Sequence, residues 1–234
     1  MSAPVQQPRK PERRLPVQQL LVLGFARLAE PIAMTSVFPY LPEMIESLDV
    51  ASDQVAKWAG ITASMFSLSQ AVFAVPWGRA SDKYGRKPAI IFGLSCTMIC
   101  SLIWGFSRTL WLAILARTLQ GAGNGNVGII RTAVAEMVPW KELQPRAFSI
   151  MPLIWNIGSI FGPTLGGALA NPLRIQPGHQ IRDGAGFLER FPYALPNIVA
   201  ACMFLFGISV AVLFLDVSLS RDEYLVSRHL LMTP

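Results

Sequence analysis

Two opposite charges stand one helical turn apart inside an otherwise apolar run, Arg27 and Glu30, with Pro31 directly behind them. At the centre of a bilayer each would cost about 2.5–3.5 kcal/mol on an insertion scale, so each needs a partner or an aqueous path. Two readings stay open: a self-neutralising i,i+3 pair that tolerates burial, or charges kept for function. Arg117 lies in a second apolar run and has no acid within one turn on its own helix. It must meet water, a substrate or an acid on another helix, and Glu30 is the obvious acid. Gln120, Asn124, Asn126 and Asn156 add neutral polar groups to the apolar runs. Asn124 and Asn156 either line a cavity with these charges or bond neighbouring helices.

Other chemistries find no support. Cys96 and Cys100 share a helix face at i,i+4, and Cys202 lies in another apolar run, but no His or acid accompanies them, so packing is expected rather than metal binding. His179 and His229 are far apart and share no zinc spacing. The stretch 123–128 (GNGNVG) satisfies G-x-G-x-x-G formally, yet a dinucleotide fingerprint follows a strand and opens a soluble βαβ unit, whereas this one interrupts an apolar helix. No catalytic constellation, metal, cofactor or nucleic-acid surface is expected.

Of the 234 residues, 52% are hydrophobic and 15% are charged. Soluble chains carry about 25% charged residues, and here the charges are bunched between long uncharged runs that suit a bilayer. Six runs are long enough to span: 17–40, 57–77, 88–106, 109–130, 147–170 and 192–215. The first carries Arg27 and Glu30, and the fourth carries Arg117. Residues 1–16 and 216–234 read as cytoplasmic tails, the first of them disordered. The run after the N-terminal tail is too long for a cleaved signal and lacks a small-residue cleavage site, so it is expected to be a retained span. Thirteen Lys and Arg fall on the side of the N-tail, 79–87, 131–146 and the C-tail, against Lys57, Arg108, Arg174, Arg182 and Arg190 on the other. The positive-inside rule then puts both termini in the cytoplasm, with 41–56 and 171–191 outside. The 171–191 loop is long and mildly basic for that side.

The narrowest pattern is 78–87, GRASDKYGRK, between the second and third runs. It reads as a tight basic turn in which Gly78 and Gly85 allow backbone bends, with Pro88 opening the next helix. The spacing of Gly78, Asp82, Gly85, Arg86 and Lys87 resembles the signature loop of the major facilitator superfamily. Two more stretches resemble that family: 117–121 (RTLQG) in the fourth run, and 158–167 (GSIFGPTLGG) in the fifth, similar to a motif of proton-coupled antiporters that include drug exporters. In the latter, Gly158, Gly162 and Gly166 repeat at i,i+4, which lets helices approach closely, and the Gly162–Pro163 step suggests a kinked helix; the resemblance, which extends to Gly167, implies that this helix lies near the substrate cavity.

The resemblance covers nearly the whole chain outside the tails. It implies an all-α integral membrane fold of six transmembrane helices arranged as two inverted three-helix repeats, half of a twelve-helix transporter. The first and fourth runs are then equivalent, and they are the two that carry charge. It further implies alternating access, proton coupling with Glu30 as proton carrier, a small-molecule substrate and a second six-helix half as partner. Glu136 is expected either to pair with Arg86, as the resemblance implies, or to be a solvated charge. The run 26–31 (ARLAEP) with 124–128 (NGNVG) is most similar to fungal members related to plant zinc-induced facilitators. A transport-incompetent fragment or an interaction subunit is the competing expectation. Neither substrate nor host membrane, plasma or vacuolar, follows from these residues.

Overall fold

The computed structural model describes residues 15–175 and 186–215, and among these every regular element is helical. The tails 1–14 and 216–234, the loop centre 176–185 and both histidines lie outside the described residues. In chain order the helices are α1 (Val17–Thr35), α2 (Leu41–Glu46), α3 (Val55–Tyr84), α4 (Arg86–Gly105), α5 (Leu110–Gly123), α6 (Asn126–Met137), α7 (Gln144–Phe148), α8 (Ile150–Leu169), α9 (Phe187–Arg190) and α10 (Ala194–Phe214).

Four stretches are long and apolar enough to cross a membrane: α3, α4, the α7–α8 stretch Gln144–Leu169, and α10. Their apolar side chains face outward as well as inward. Only 22% of the most apolar window of α3, and of the α7–α8 stretch, is buried within the chain. A soluble fold could not leave Val72, Phe73, Ile160 and Phe161 exposed in rows, but hydrocarbon can cover them. The helix α1 falls short in hydropathy because Gln18, Gln19, Arg27 and Glu30 occupy four of its 19 positions. The fourth expected span falls short because it is not one helix: Asn124 and Gly125 separate α5 from α6.

Several boundaries differ from the expected ones. The first run ends as helix at Thr35, then turns through 36–40 into α2. The second extends seven residues past Trp77, so 78–84 is helix and the expected basic turn is a single residue. That residue is Gly85, whose φ of +96° lets α3 end and α4 begin without an intervening loop. Gly78 is an ordinary helical position with open space around it. The helix α8 runs unbroken from Ile150 to Leu169 through Pro163.

The break between α5 and α6 is held from α3. Trp77 Nε1 donates to Ala122 O at 2.6 Å, and Gln70 Nε2 donates to Asn124 O at 3.2 Å. Carbonyls freed inside a span must find donors, and these two do. Elsewhere α1 packs on α8 and α10, α3 on α5, and α4 bridges α5 and α10. Leu23, Ile90, Ile130 and Phe204 centre one core cluster, and Tyr40, Met44 and Trp104 centre a second.

Candidate functional site

The charge pair of α1 is buried. Arg27 Nε stands 3.9 Å from Glu30 Oε2, with 8% and 5% of the two side chains exposed. That is an ion pair at the long limit, without a hydrogen bond. The other contact of the guanidinium is with the Met151 sulfur of α8, at 3.8 Å. Neither Glu30 oxygen has a hydrogen-bond partner of good geometry, and neither does Asn124 Oδ1. Asn124 stands beside Glu30, so the break after α5 places its side chain against the middle of α1. Asn126, on the far side of the break, is fully buried with both side-chain polar atoms unpartnered. It rests on Gly93 of α4, where any side chain would overlap it. Natural proteins seldom bury so many unpaired polar atoms in one place without a use for them.

Arg117 does not pair with Glu30. Glu30 is engaged by Arg27 on its own helix, and Arg117 lies elsewhere. Its Nη1 donates to Gln120 Oε1 at 2.9 Å, one turn on. The guanidinium lies over the Trp104 ring at 4.6 Å and near Phe66 at 5.9 Å, with Tyr40 as a polar neighbour. Asn156 is exposed on α8 and does not join Glu30 and Asn124. The sequence-level set thus divides into Arg27, Glu30 and Asn124 in one place, Arg117 and Gln120 in another, and Asn156 apart.

At the end of the molecule where α3 meets α4, the Arg86 fork is fully engaged. Arg86 Nη2 donates to Glu136 Oε1 at 2.8 Å and its Nε to Oε2 at 3.3 Å. Its Nη1 reaches Asp82 Oδ1 at 2.6 Å and Ser81 Oγ at 2.5 Å. This fork joins the end of α3, the start of α4 and the end of α6. Lys87 does something different: its ammonium donates to Val212 O at 2.8 Å, capping the last turn of α10.

The glycines of α8 serve a contact. Side chains at Gly158, Gly162 and Gly166 would overlap Pro31, Thr35 with the Ile32 carbonyl, and the Ser36 carbonyl respectively. Thr35 Oγ1, whose only proton can serve one acceptor at a time, lies 2.8 Å from Pro31 O and 3.0 Å from Gly158 O. The stripe therefore draws α1 against α8 at backbone range, which fixes the turn of α1 that carries Glu30. Gly167 lies off the stripe, in ordinary contact range of Pro39.

One polar network was not expected from the sequence. Trp104 Nε1 and Asn197 Nδ2 both donate to the Tyr40 hydroxyl, at 3.2 and 3.0 Å, and Ser101 Oγ donates to Asn197 Oδ1 at 3.1 Å. Tyr193 stacks on Tyr40 at 5.7 Å. The one signal in the sequence was Asn197, a lone amide in the last apolar run.

Comparison with known proteins gives a consistent result. A family model described as "Major Facilitator Superfamily" matches residues 23–228. "Major facilitator superfamily multidrug transporter mfsB" of Aspergillus fumigatus is 45% identical over 215 residues, covering 89% of this chain and 35% of that protein. "Protein ZINC INDUCED FACILITATOR-LIKE 1" of Arabidopsis thaliana is 31% identical over 208 residues, covering 88% and 43%. The chain thus spans roughly two fifths or less of the length of the curated relatives it matches first. The crystal structure of the human organic anion transporter MFSD10 (TETRAN) superposes with a TM-score of 0.71 at 20% identity, covering 92% of this chain and 50% of that one, which shows a shared fold.

Proposed function

Because the chain belongs to the major facilitator superfamily, we propose that it is the N-terminal six-helix half of a transporter that moves a small solute by alternating access in proton-coupled antiport. Its fold is the all-helical integral membrane fold of that family, a family of transporters and not of enzymes. In this reading α1 and the α5–α6 pair cross the membrane with the four apolar stretches, making two inverted three-helix repeats with both termini cytoplasmic. Broken or charged helices at equivalent places in two repeats mark a binding site, and α1 and α5–α6 are such a pair.

The observation that carries the coupling is Glu30: a carboxylate 5% exposed, loosely paired to Arg27, with Asn124 beside it and neither oxygen in a hydrogen bond of good geometry. A buried carboxylate this sparsely bonded is able to exchange a proton, and the charge then left on Arg27 ties that exchange to whatever else enters the site. An efflux direction is supported by relatives whose names state it, "Efflux pump azaK" of Aspergillus niger and "Multi-drug resistance efflux pump PmrA" of Streptococcus pneumoniae.

Alternating access needs two bundles rocking about one site. Residues 1–234 reconstituted alone are therefore expected to give no solute flux in liposomes, and co-expression with a matching second half to restore it. Protonophore-sensitive flux from the chain alone would replace the half-transporter reading with a functional homodimer. Topology is checked separately: in a background lacking Cys96, Cys100 and Cys202, an Asp53→Cys label should react only from outside. Reaction from the cytoplasm alone would overturn the orientation.

A further inference from the structure

Cys96 and Cys100 of α4 stand one turn apart, and the structure brings their thiols into a hydrogen bond with each other. Both are free; Cys100 is buried, whereas Cys96 is partly exposed. Three hydroxyls flank the pair on the same helix, and each is spent elsewhere. Ser95 Oγ donates to Ile91 O at 2.8 Å, Thr97 Oγ1 to Gly93 O at 2.8 Å, and Ser101 Oγ to Asn197 Oδ1 at 3.1 Å. The two sulfurs are thus left to each other.

The direction of Cys96 is set from α5. Its Sγ occupies the space that a side chain at Gly123 would need, since a Cβ there would overlap it. On its other side Cys96 lies one turn from Phe92 and from Ile99, both exposed. The pair therefore stands at the edge of the face of α4 that hydrocarbon covers. A single buried thiol packs as a small apolar group. Two in contact, with one of them reachable, form a soft bidentate donor, which suits a thiophilic centre and not a hard ion such as magnesium or calcium. A four-ligand zinc cage is not formed here, because no group of three or more His, Cys, Asp or Glu side chains comes together among the described residues. Trivalent arsenic carrying one organic group needs only two sulfurs, held at contact distance.

We propose that Cys96 and Cys100 form a bidentate binding site for a lipid-soluble, monoorganic trivalent arsenical, with Gly123 leaving the room that turns Cys96 towards Cys100. In the binding step the As=O bond and two S–H bonds break, two As–S bonds form, and the oxygen leaves with both protons as water. Arsenic stays trivalent, so no oxidant or reductant takes part. The bridge closes over one turn of α4, against the last residue before the α5–α6 break. This site is separate from Glu30 and from Arg117, and it requires neither transport nor a second half.

The test uses the purified 234-residue chain in detergent with Cys202→Ser, because Cys202 is exposed on α10 and has no second thiol one turn away. Phenylarsine oxide is the probe. Intact mass should show one phenylarsenic per chain, with both thiols lost to maleimide. The adduct should survive excess mercaptoethanol and be released by dithiothreitol. Cys96→Ser and Cys100→Ser should each give an adduct that mercaptoethanol strips. Gly123→Ala keeps both thiols and should slow bridging several-fold; if it does not fold, the two serine variants decide the matter. No mercaptoethanol-resistant adduct on the unaltered pair, two arsenic atoms per chain, resistance that survives either serine variant, or undiminished bridging in folded Gly123→Ala overturns the proposal. Flux enters none of these readouts, so failure of the transport reading leaves the site standing, and loss of the site leaves that reading untouched.

Discussion

Arg86 and Arg27 each stand a few residues from an acid, yet the two ion pairs are built differently. Arg86 uses its whole fork, with Glu136 at 2.8 and 3.3 Å, Asp82 at 2.6 Å and Ser81 at 2.5 Å. Arg27 meets Glu30 at 3.9 Å, and both carboxylate oxygens lack a hydrogen bond. The first cluster sits at a helix junction where water shares the work, so bonding can be complete. The second sits within α1, where Asn124 is the one amide beside Glu30 and the remaining neighbours offer few donors. A satisfied cluster holds helix ends in place. An unsatisfied one is costly to keep and sensitive to a proton or a ligand. The difference separates a part that fixes the fold from a part available for work.

The sharpest way to break that contrast is Glu30→Gln in a transporter that contains this sequence and is active. Gln keeps the shape but cannot release a proton, so uphill accumulation should fall to the equilibrium level while exchange continues. Vesicles carrying a pH gradient read this directly, and undiminished accumulation would remove Glu30 from coupling. Stability should move the other way when the pair is made apolar. Replacing both members of a poorly compensated buried pair by hydrophobic residues is often stabilising, by about 1–4 kcal/mol. Arg27→Leu with Glu30→Leu is therefore expected to raise resistance of the purified chain to unfolding in detergent, at the expense of function. A clear loss of stability would show the pair to be structural.

The satisfied cluster should respond with the opposite sign. Glu136→Gln breaks a bidentate charged contact and leaves Arg86 with less compensation, for a loss of about 1.5–3 kcal/mol in the same unfolding measurement. Asp82→Asn is the mildest change. The Asp82 side chain is 65% exposed, so its share of the fork is screened and worth about 0–1 kcal/mol, diminishing further as salt is added. If Asp82→Asn cost as much as Glu136→Gln, the two acids would be equal partners and the geometry misread.

How far the site was legible depended on whether its contacts are local. The Arg27–Glu30 pairing is an i,i+3 relation and could be read from spacing alone. The contact between Glu136 and Arg86, fifty residues apart, was reached through a family resemblance, because nothing in the spacing itself joins them. For Arg117 the sequence left water, a substrate or an acid open, with Glu30 the obvious acid, and the structure pairs Glu30 with Arg27 instead. The actual neighbours of Arg117 are aromatic faces and an amide, and their approach depends on how α4 and α5 cross. Asn124 and Asn126 look alike in the sequence, but the break between α5 and α6 sends one to α1 and the other to α4.

The amino-acid sequence by itself determined that this is a helical membrane chain with buried charge in its first and fourth apolar runs. Hydropathy and the Lys/Arg distribution are sums over residues and need no packing to be read. It also determined that α8 could admit a close neighbour, since small residues at i,i+4 leave a groove wherever they occur. Only the tertiary structure decided what enters that groove, where the fourth run breaks, and which buried polar groups find partners. Those outcomes turn on ångström-scale approach between helices distant in sequence. A donor at 2.8 Å bonds and one at 3.9 Å does not, and no residue type carries that distance in its name.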